Sequence, residues 1–337
     1  MLQLDNQTPF GASFALLPDR AGIDTLFVIV KATVNLRPKL ALAPAQSPPG
    51  LVDEYYEDPD DSSLRQHSDM HIGKPGTDVL LVGCARAPRG EQAEGVMVTL
   101  NVAERGKRVM VVGDRTWLSD GTPSVPQPFE AIPLVWERAF GGTDSSNPEQ
   151  VLAEERNPVG VGFRGRRDPE WMVGQPVPNL ENPDAPLNTW NETPAPACFA
   201  PIAPAWLPRR QYAGTYDAVW QRTRAPYLPD DFDPRFFHSA CPELCFDRFL
   251  RGGEIAEIRG ATDDAPLTFT VPSVRPAIEV SVAGQMGEPE PNLETLMFEP
   301  DYNRASMTWR AALPCDRKAL KVEKITVRVR RSRGAAR

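Results

Sequence analysis

Two histidines four residues apart, with an aspartate between them, form the first group that could bind a metal. His67 and His71 flank Asp69 in the segment SLRQHSDMHIGKPG. On one face of a helix, imidazoles at this spacing meet and suit zinc. The segment is short and ends in glycine and proline, which do not sustain a helix. We therefore predict that these histidines lie in a turn or at the surface.

A second group places three zinc-compatible side chains within about one and a half helical turns. His238, Cys241 and Cys245 make the pattern H-x2-C-x3-C. Structural zinc sites usually have four ligands, and the neighbouring sequence offers no evident fourth one. An amphipathic helix with buried thiols is the simpler interpretation, because reduced cysteines pack like small apolar residues. We expect neither a metal nor a cofactor.

The sequence gives little support for nucleophilic catalysis or for a phosphate-binding loop. The chain has only three histidines to act as bases, and it lacks the G-x-S-x-G motif of a serine nucleophile. Gly141-Gly142 is not followed by the Lys-Ser/Thr pair of a phosphate-binding loop. The glycine pair therefore predicts a turn.

Two clusters of carboxylates could support glycoside hydrolysis. They are Asp53, Glu54, Glu57, Asp58, Asp60 and Asp61, and then Asp230, Asp231 and Asp233. Such chemistry needs two carboxyl groups about 5 to 10 Å apart, a separation that sequence does not give. Acidic clusters in loops are usually solvated surface. A carbohydrate-active hydrolase stays open as an alternative.

Composition excludes some partners. The 337 residues have 37 Lys and Arg against 45 Asp and Glu, a net charge of -8, which is the wrong sign for nucleic-acid binding. The longest apolar run, Leu26 to Val30, is far shorter than the roughly 20 residues of a membrane span. The start has no signal-peptide pattern, and the five cysteines are scattered. We expect a cytoplasmic protein with reduced thiols that binds neither nucleic acid nor membrane.

The elements that position these residues are mostly strands. Apolar and alternating runs predict strands at 26–36, 78–85, 96–103, 107–112, 277–282, 292–298, 307–312 and 320–329. Glu104-Arg105-Gly106 predicts a hairpin connection between the third and fourth of them. A helix is expected around Arg235–Phe249. The fold class is mainly β, with sandwich-like antiparallel sheets and few short helices.

A long Pro/Trp-rich segment interrupts the strands. Residues 123–234 carry 19 of the 36 prolines and five of the seven tryptophans. Dense proline disfavours helices and central strands, whereas disordered linkers are poor in aromatic residues. We predict an ordered, extended segment between a strand-rich part (1–122) and another with one short helix (235–332). A basic tail (333–337) follows, and the whole is one module.

The chain ends in a small basic patch. Its arginines are Arg328, Arg330, Arg331, Arg333 and Arg337. Arginines on the outer face of a last strand and on a frayed tail are the ordinary explanation. An acidic partner is the alternative.

Several short strings, spread over most of residues 1–330, together carry a family resemblance. They are Lys31-Ala32-Thr33, Lys74-Pro75 with Thr77-Asp78-Val79 and Gly83, Gly113-Asp114-Arg115 with Trp117, Pro133-Leu134, the run from Trp136 to Gly142 (WERAFGG), Asn157-Pro158 with Gly160, Pro178-Asn179 with Glu181 and Pro183, Pro208-Arg209, Gly214-Thr215-Tyr216-Asp217 with Trp220, and Pro229 with Asp231-Phe232. In this order they resemble a family of cytoplasmic adaptors or chaperones encoded beside type VI secretion spike proteins and toxins. That family has long been catalogued as a domain of unknown function.

The resemblance implies a protein without catalytic residues. Such an adaptor binds a cognate toxin and helps to place it on the trimeric spike protein before secretion. Contacts between proteins concentrate in a few aromatic and arginine side chains. We expect the toxin-binding residues to include Trp136, Trp206, Arg209, Tyr216 and Trp220. A sugar-binding β module with exposed tryptophans remains a second alternative.

Overall fold

The computed structural model describes residues 2–262 and 265–330, and strands dominate them. In chain order the strands are β1 (Gln3–Asn6), β2 (Gly11–Pro18), β3 (Asp24–Asn35), β4 (Ala41–Leu42), β5 (Glu54–Tyr55), β6 (Leu64–Gln66), β7 (Asp78–Leu81), β8 (Cys84–Arg86), β9 (Gly95–Val102), β10 (Arg105–Val112), β11 (Arg115–Thr116), β12 (Ala131–Pro133), β13 (Phe140–Gly141), β14 (Thr143–Asp144), β15 (Leu152–Ala153), β16 (Val161–Gly162), β17 (Pro176–Val177), β18 (Leu180–Glu181), β19 (Ile255–Arg259), β20 (Leu267–Thr270), β21 (Pro276–Val282), β22 (Gln285–Gly287), β23 (Asn292–Glu299), β24 (Arg304–Pro314) and β25 (Val322–Val329). The expected fold class, mainly β with mostly antiparallel sheets, is confirmed.

Helices are few and short. The described residues contain two α-helices, α1 (Pro169–Met172) and α2 (Ala218–Thr223). The 3-10 turns are Pro88–Gly90, Trp136–Arg138, Arg209–Tyr212, Pro234–Phe237, Pro242–Leu244, Pro300–Tyr302 and Asp316–Lys321. Within the described ranges, no helix has the length and apolar composition needed to cross a membrane.

The largest sheet has six strands and carries charges into the core. Its order is β2-β3-β24-β23-β7, with β4 paired to β3. Ten consecutive residues of β3 are buried, because its sequence is apolar on both faces. Yet Lys31 in β3, Glu294 in β23 and Arg310 in β24 are also buried. These three charges need partners inside the fold.

Two further sheets share the same hydrophobic core. One has the order β18-β10-β9-β19-β20, and the other the order β1-β25-β21-β22. Leu26, Val98 and Ile325, from the three sheets, belong to a single buried cluster. The β9–β10 turn lies at Ala103 and Glu104, with Val102 paired to Arg105. This turn is one residue earlier than predicted, and Ala103 has a φ of 49°.

The middle segment, residues 123–234, is ordered and mostly without regular structure. All of it is described, and no strand in it exceeds three residues. Trp136, Phe199 and Trp206 from this segment join the hydrophobic cluster that the sheets share. Its extended path is therefore fixed by packing onto the strand-rich parts on either side.

Two predicted elements differ in the structure. The helix expected around Arg235–Phe249 is wrong, because only the 3-10 turns Pro234–Phe237 and Pro242–Leu244 form there. Pro242 has no backbone N–H to continue a helix through that segment. The strand expected at 78–85 is divided into β7 and β8.

The basic patch at the end of the chain is described only in part. Arg331, Arg333 and Arg337, and with them the tail 333–337, lie outside the described residues. Arg328 pairs with Glu279 at 2.9 Å, and Arg330 pairs with Glu290 at 3.1 Å. These two arginines are thus matched by carboxylates of the chain itself.

Candidate functional site

A cluster of charged and imidazole side chains lies inside the fold. We call it the buried ionic cluster, and its members are Lys31, His67, Asp69, His71, Lys74, Asp78, Glu294 and Arg310. The prediction that His67 and His71 lie in a turn or at the surface is wrong as to exposure, because the residues are 5% and 6% exposed. The segment after β6 enters the core and meets the charges of the six-stranded sheet there.

Lys74 and Asp78 form the tightest pair of the cluster. Lys74 Nζ lies 2.7 Å from Asp78 Oδ1, and both side chains are 0% exposed. The ammonium also donates to Thr295 Oγ1 at 2.7 Å. The backbone N–H of Ser239 donates to Asp78 Oδ2 at 2.7 Å. This pair therefore joins β7 to β23 and to the segment after Pro234–Phe237.

Two other pairs complete the cluster. Lys31 Nζ lies 3.3 Å from Asp69 Oδ2, which also accepts the Gly50 backbone N–H at 2.7 Å. Arg310 Nε donates to Glu294 Oε2 at 2.7 Å, and its Nη2 donates to the Asp69 carbonyl at 2.6 Å. Three cations thus face three carboxylates, so the cluster balances its own charge.

The electrostatics of the cluster favour neutral histidines between charged pairs. Burial, followed by the charge of Lys74, lowers the pKa of His67 to about 3. Burial and the Arg310 guanidinium lower the pKa of His71 well below 6.5. Burial by itself would raise the pKa of Asp78, but the Lys74 ammonium holds it well below 3.8. Buried ion pairs with neutral imidazoles between them join these segments, and we call this arrangement a structural lock.

Acid should weaken this lock through His67. Below pH 6.5 the unfolded chain binds a proton on His67, whereas the folded chain excludes that proton until near pH 3. Stability is therefore complete above pH 6.5 and is lost as the pH falls. The lowered pKa of His67 alone should reduce the free energy of unfolding by about 2 kcal/mol when the pH falls from 7 to 5. Urea unfolding at both pH values measures this loss. His67→Gln should reduce it, and equal unfolding free energies at the two pH values would contradict it.

The residues considered for zinc do not form a metal site in the structure. Among the residues that it describes, no group of three or more His, Cys, Asp or Glu could hold a metal ion. Cys245 Sγ points to the carbonyls of Ala240 and Cys241, at 3.4 Å each. Burial raises the pKa of the Cys241 thiol to about 12. These thiols are therefore protonated packing groups, although not on the helix that the sequence predicts.

Two of the carboxylates considered for hydrolysis, Asp58 and Asp231, are engaged in local bonds. Asp58 Oδ1 accepts the Asp60 backbone N–H at 3.0 Å. Asp231 accepts both the backbone N–H and the hydroxyl of Thr215, at 2.9 and 2.7 Å. These hydrogen bonds stabilise the local backbone around Asp58 and Asp231.

Strings that carry the family resemblance meet in one place. Arg138 Nη1 donates to Asp114 Oδ1 at 3.2 Å and to Asn179 Oδ1 at 3.0 Å. Asn157 donates its side-chain amide to the carbonyls of Trp136 and Phe140, at 2.8 and 3.0 Å. These polar side chains hold together segments that have almost no regular secondary structure, so their observed contacts are architectural.

Gly141-Gly142, the glycine pair at the end of the WERAFGG string, also allows these segments to pack closely. Gly141 has a φ of 154°, and a Cβ on it would lie 2.2 Å from the Asn157 carbonyl oxygen. Only glycine fits this approach. Gly141 of the WERAFGG string is thus needed for the close contact between residues 141 and 157.

Three of the five expected contact residues are buried. Trp136, Trp206 and Arg209 are 3%, 5% and 6% exposed. The two indole rings pack edge to face at 6.3 Å, and Arg209 donates to the carbonyls of Ile202 and Phe236, at 2.6 and 2.8 Å. Trp136 and Trp206 thus hold the middle segment in the core by packing, and Arg209 helps to hold it through its bonds to the backbone.

The other two expected contact residues lie together at the surface. Tyr216 is 54% exposed, and its ring lies 4.7 Å from that of the half-buried Trp220. We call Tyr216, Val219, Trp220 and Tyr227 the aromatic surface. Val219 and Tyr227 are 55% and 39% exposed. The sequence does not identify them as contact residues, because a lone valine and a lone tyrosine form no recognisable motif.

Local bonds keep the aromatic surface in place. Asp217 caps α2 by accepting the backbone N–H groups of Val219 and Trp220, at 2.9 and 2.8 Å. The Trp220 indole N–H donates to the Tyr227 carbonyl at 2.8 Å. No residue of α2 is buried. The helix therefore presents its apolar side chains outward from a fixed backbone.

Comparison with known proteins adds a family without an assigned activity. A family model described as an uncharacterized protein conserved in bacteria (DUF2169) matches residues 21–310. No curated protein and no solved structure matches the chain. The matched range contains both the buried ionic cluster and the aromatic surface.

Proposed function

The chain belongs to DUF2169, an uncharacterized family conserved in bacteria, and on that premise we propose that it is a non-enzymatic adaptor. Its partner is a cognate toxin of a type VI secretion system, which it binds in the cytoplasm and helps to load onto the spike protein. The observation that carries this proposal is the aromatic surface. Exposed tyrosine and tryptophan side chains on a fixed backbone are typical anchors of protein interfaces.

The state of the buried polar groups supports a binding role over catalysis. His67 and His71 are sealed in the core, and burial keeps both imidazoles neutral. Cys198, Cys241 and Cys245 have thiol pKa values raised by burial, which disfavours a thiolate nucleophile. The reactive side chains of the core thus support the fold, whereas the exposed aromatic residues are available to a partner.

Affinity purification from the producing bacterium tests the proposal. The tagged chain is expressed with its gene neighbours, recovered at low and at raised salt, and its partners are identified by mass spectrometry. An adaptor should retain one toxin through the raised-salt wash, because apolar contacts are not screened by salt. An unrelated tagged protein of similar charge is the control. Recovery of glycan-bearing material without a toxin would favour a sugar-binding module instead.

A further inference from the structure

A pocket of about 410 Å³ is lined in part by residues that precede and follow the aromatic surface in the sequence. Arg105, Arg209, Arg235 and His238 line it, and we call it the basic pocket. Tyr212 lines it too and lies four residues before Tyr216, a span of at most about 14 Å along an extended chain. The Asp233 backbone N–H donates to the Tyr212 carbonyl at 3.0 Å. The pocket and the aromatic surface are thus separated by a distance that one extended partner segment can span.

The charges of the basic pocket are incompletely matched. Arg235 is paired with Asp233 at 2.6 Å. Arg105 and Arg209 have no carboxylate within 4 Å among the residues that the structure describes. The other carboxylate of the lining is the exposed Asp247. Three arginines against two aspartates leave one positive charge, which one added carboxylate would balance.

Burial makes this charge mismatch costly. Arg209 is 6% exposed, and its guanidinium donates hydrogen bonds to the backbone carbonyls of Ile202 and Phe236. His238 is 7% exposed, and its Nδ1 lies 3.9 Å from Asp78 Oδ2, beyond hydrogen-bond distance. A buried guanidinium whose hydrogen bonds go to neutral carbonyls gains from an anionic ligand.

The rest of the lining is apolar. Tyr212, Phe246 and Pro242 contribute to it. The Arg105 guanidinium lies 5.8 Å from the centre of the Phe246 ring, and the Arg235 guanidinium lies 4.4 Å from that of Tyr212. Planar cations on aromatic rings form a wall suited to a carboxylate that is next to an apolar group.

We propose that the basic pocket receives an acidic side chain of the partner polypeptide, flanked by an apolar residue, as an anchor beside the aromatic surface. This inference rests on the proposed adaptor function and adds the chemistry of its partner. Arg105 is the group that binds the carboxylate most freely, because it is only partly buried and its guanidinium makes no ion pair in the described structure. Arg209 and His238, which are more deeply buried, line the pocket around the bound carboxylate.

A fluorinated probe tests the pocket without the toxin. The probe is 3-(4-fluorophenyl)propionate, and its neutral amide is the chemical control; fluorine NMR follows the titration of each with the full chain. Arg105→Ala should weaken propionate binding at least tenfold, and Arg105→Lys should restore most of it. Arg248→Ala is the matched control, because Arg248 also lies over Phe246, at 5.5 Å, but is outside the pocket lining.

The results separate the pocket from the adaptor function. Equal binding of propionate and amide, or no effect of Arg105→Ala, would overturn the pocket. If the probe binds as expected and Arg105→Ala also weakens capture of the toxin, the anchor is supported. If the probe binds but toxin capture is unchanged, the pocket takes a free carboxylate and the anchor is overturned. Failure of the wild-type chain to capture any toxin would refute the adaptor function, which the probe titration does not address.

Discussion

Asp78→Asn should lower the free energy of unfolding by about 3 to 5 kcal/mol. The substitution leaves the Lys74 ammonium, which is 0% exposed, without its carboxylate partner. Breaking a buried ion pair from one side is this costly because the remaining charge stays out of water. The pair also joins three segments that are distant in sequence, through Thr295 and Ser239. Urea unfolding followed by circular dichroism measures the effect.

Two further variants show whether the loss belongs to the buried charge. Asp184→Asn is the exposed control, because Asp184 pairs with Arg108 at 3.0 Å while its side chain is 74% exposed. It should change stability by less than about 1 kcal/mol. Adding Lys74→Met to Asp78→Asn should recover part of the loss, since it removes the unpaired ammonium. Similar values for Asp78→Asn and Asp184→Asn would show that the pair is not a structural lock.

Replacing Tyr216 and Trp220 together by alanine should weaken toxin binding at least thirtyfold. Each side chain is an exposed or half-exposed aromatic anchor, and hot-spot residues of this type contribute about 2 kcal/mol or more. Calorimetric titration of the purified chain with its captured toxin measures the change. Tyr216→Ala alone is the cleaner variant, because Trp220 also bonds the Tyr227 carbonyl.

Trp171→Ala is the matched control for this pair. Trp171 is 42% exposed and also lies on a short helix, Pro169–Met172. Its removal should change the toxin affinity by less than twofold. Unfolding midpoints should stay close to that of the wild type for all these variants. Equal losses from Trp171→Ala and from the Tyr216 and Trp220 variants would place the interface elsewhere.

Much of the fold follows from the strand patterns. The apolar run in β3 and the alternation in β25 predict strands that the structure contains, because strand faces differ in their access to water. The middle segment has no such period. Its course depends on bonds between distant residues, such as Asn157 with Trp136 and Arg138 with Asn179, which local propensity does not encode.

The buried ionic cluster had a sequence signal of its own. Lys31 stands alone in the run LFVIVKATVNL, and Arg310 follows the buried Trp309 in β24. A lone charge in a fully buried strand requires a buried partner. The partner of each buried charge depends on how residues 67–78 fold back onto the sheet. The spacing of the histidines in those residues indicates a metal motif or a turn, not a buried ionic cluster. The residue types of Trp136, Trp206 and Arg209 indicate aromatic and cationic side chains of the kind found in interfaces. Residue type does not indicate that these side chains are buried in the fold.

The most informative measurement is a three-component purification. The tagged chain, its captured toxin and the spike protein are co-expressed in every combination, and the recovered amounts are quantified by mass spectrometry. For a loading adaptor, the toxin is recovered with the chain, the spike joins only when the toxin is present, and Tyr216→Ala with Trp220→Ala removes both. Recovery of the chain alone, as a folded monomer in every combination, would contradict the adaptor function.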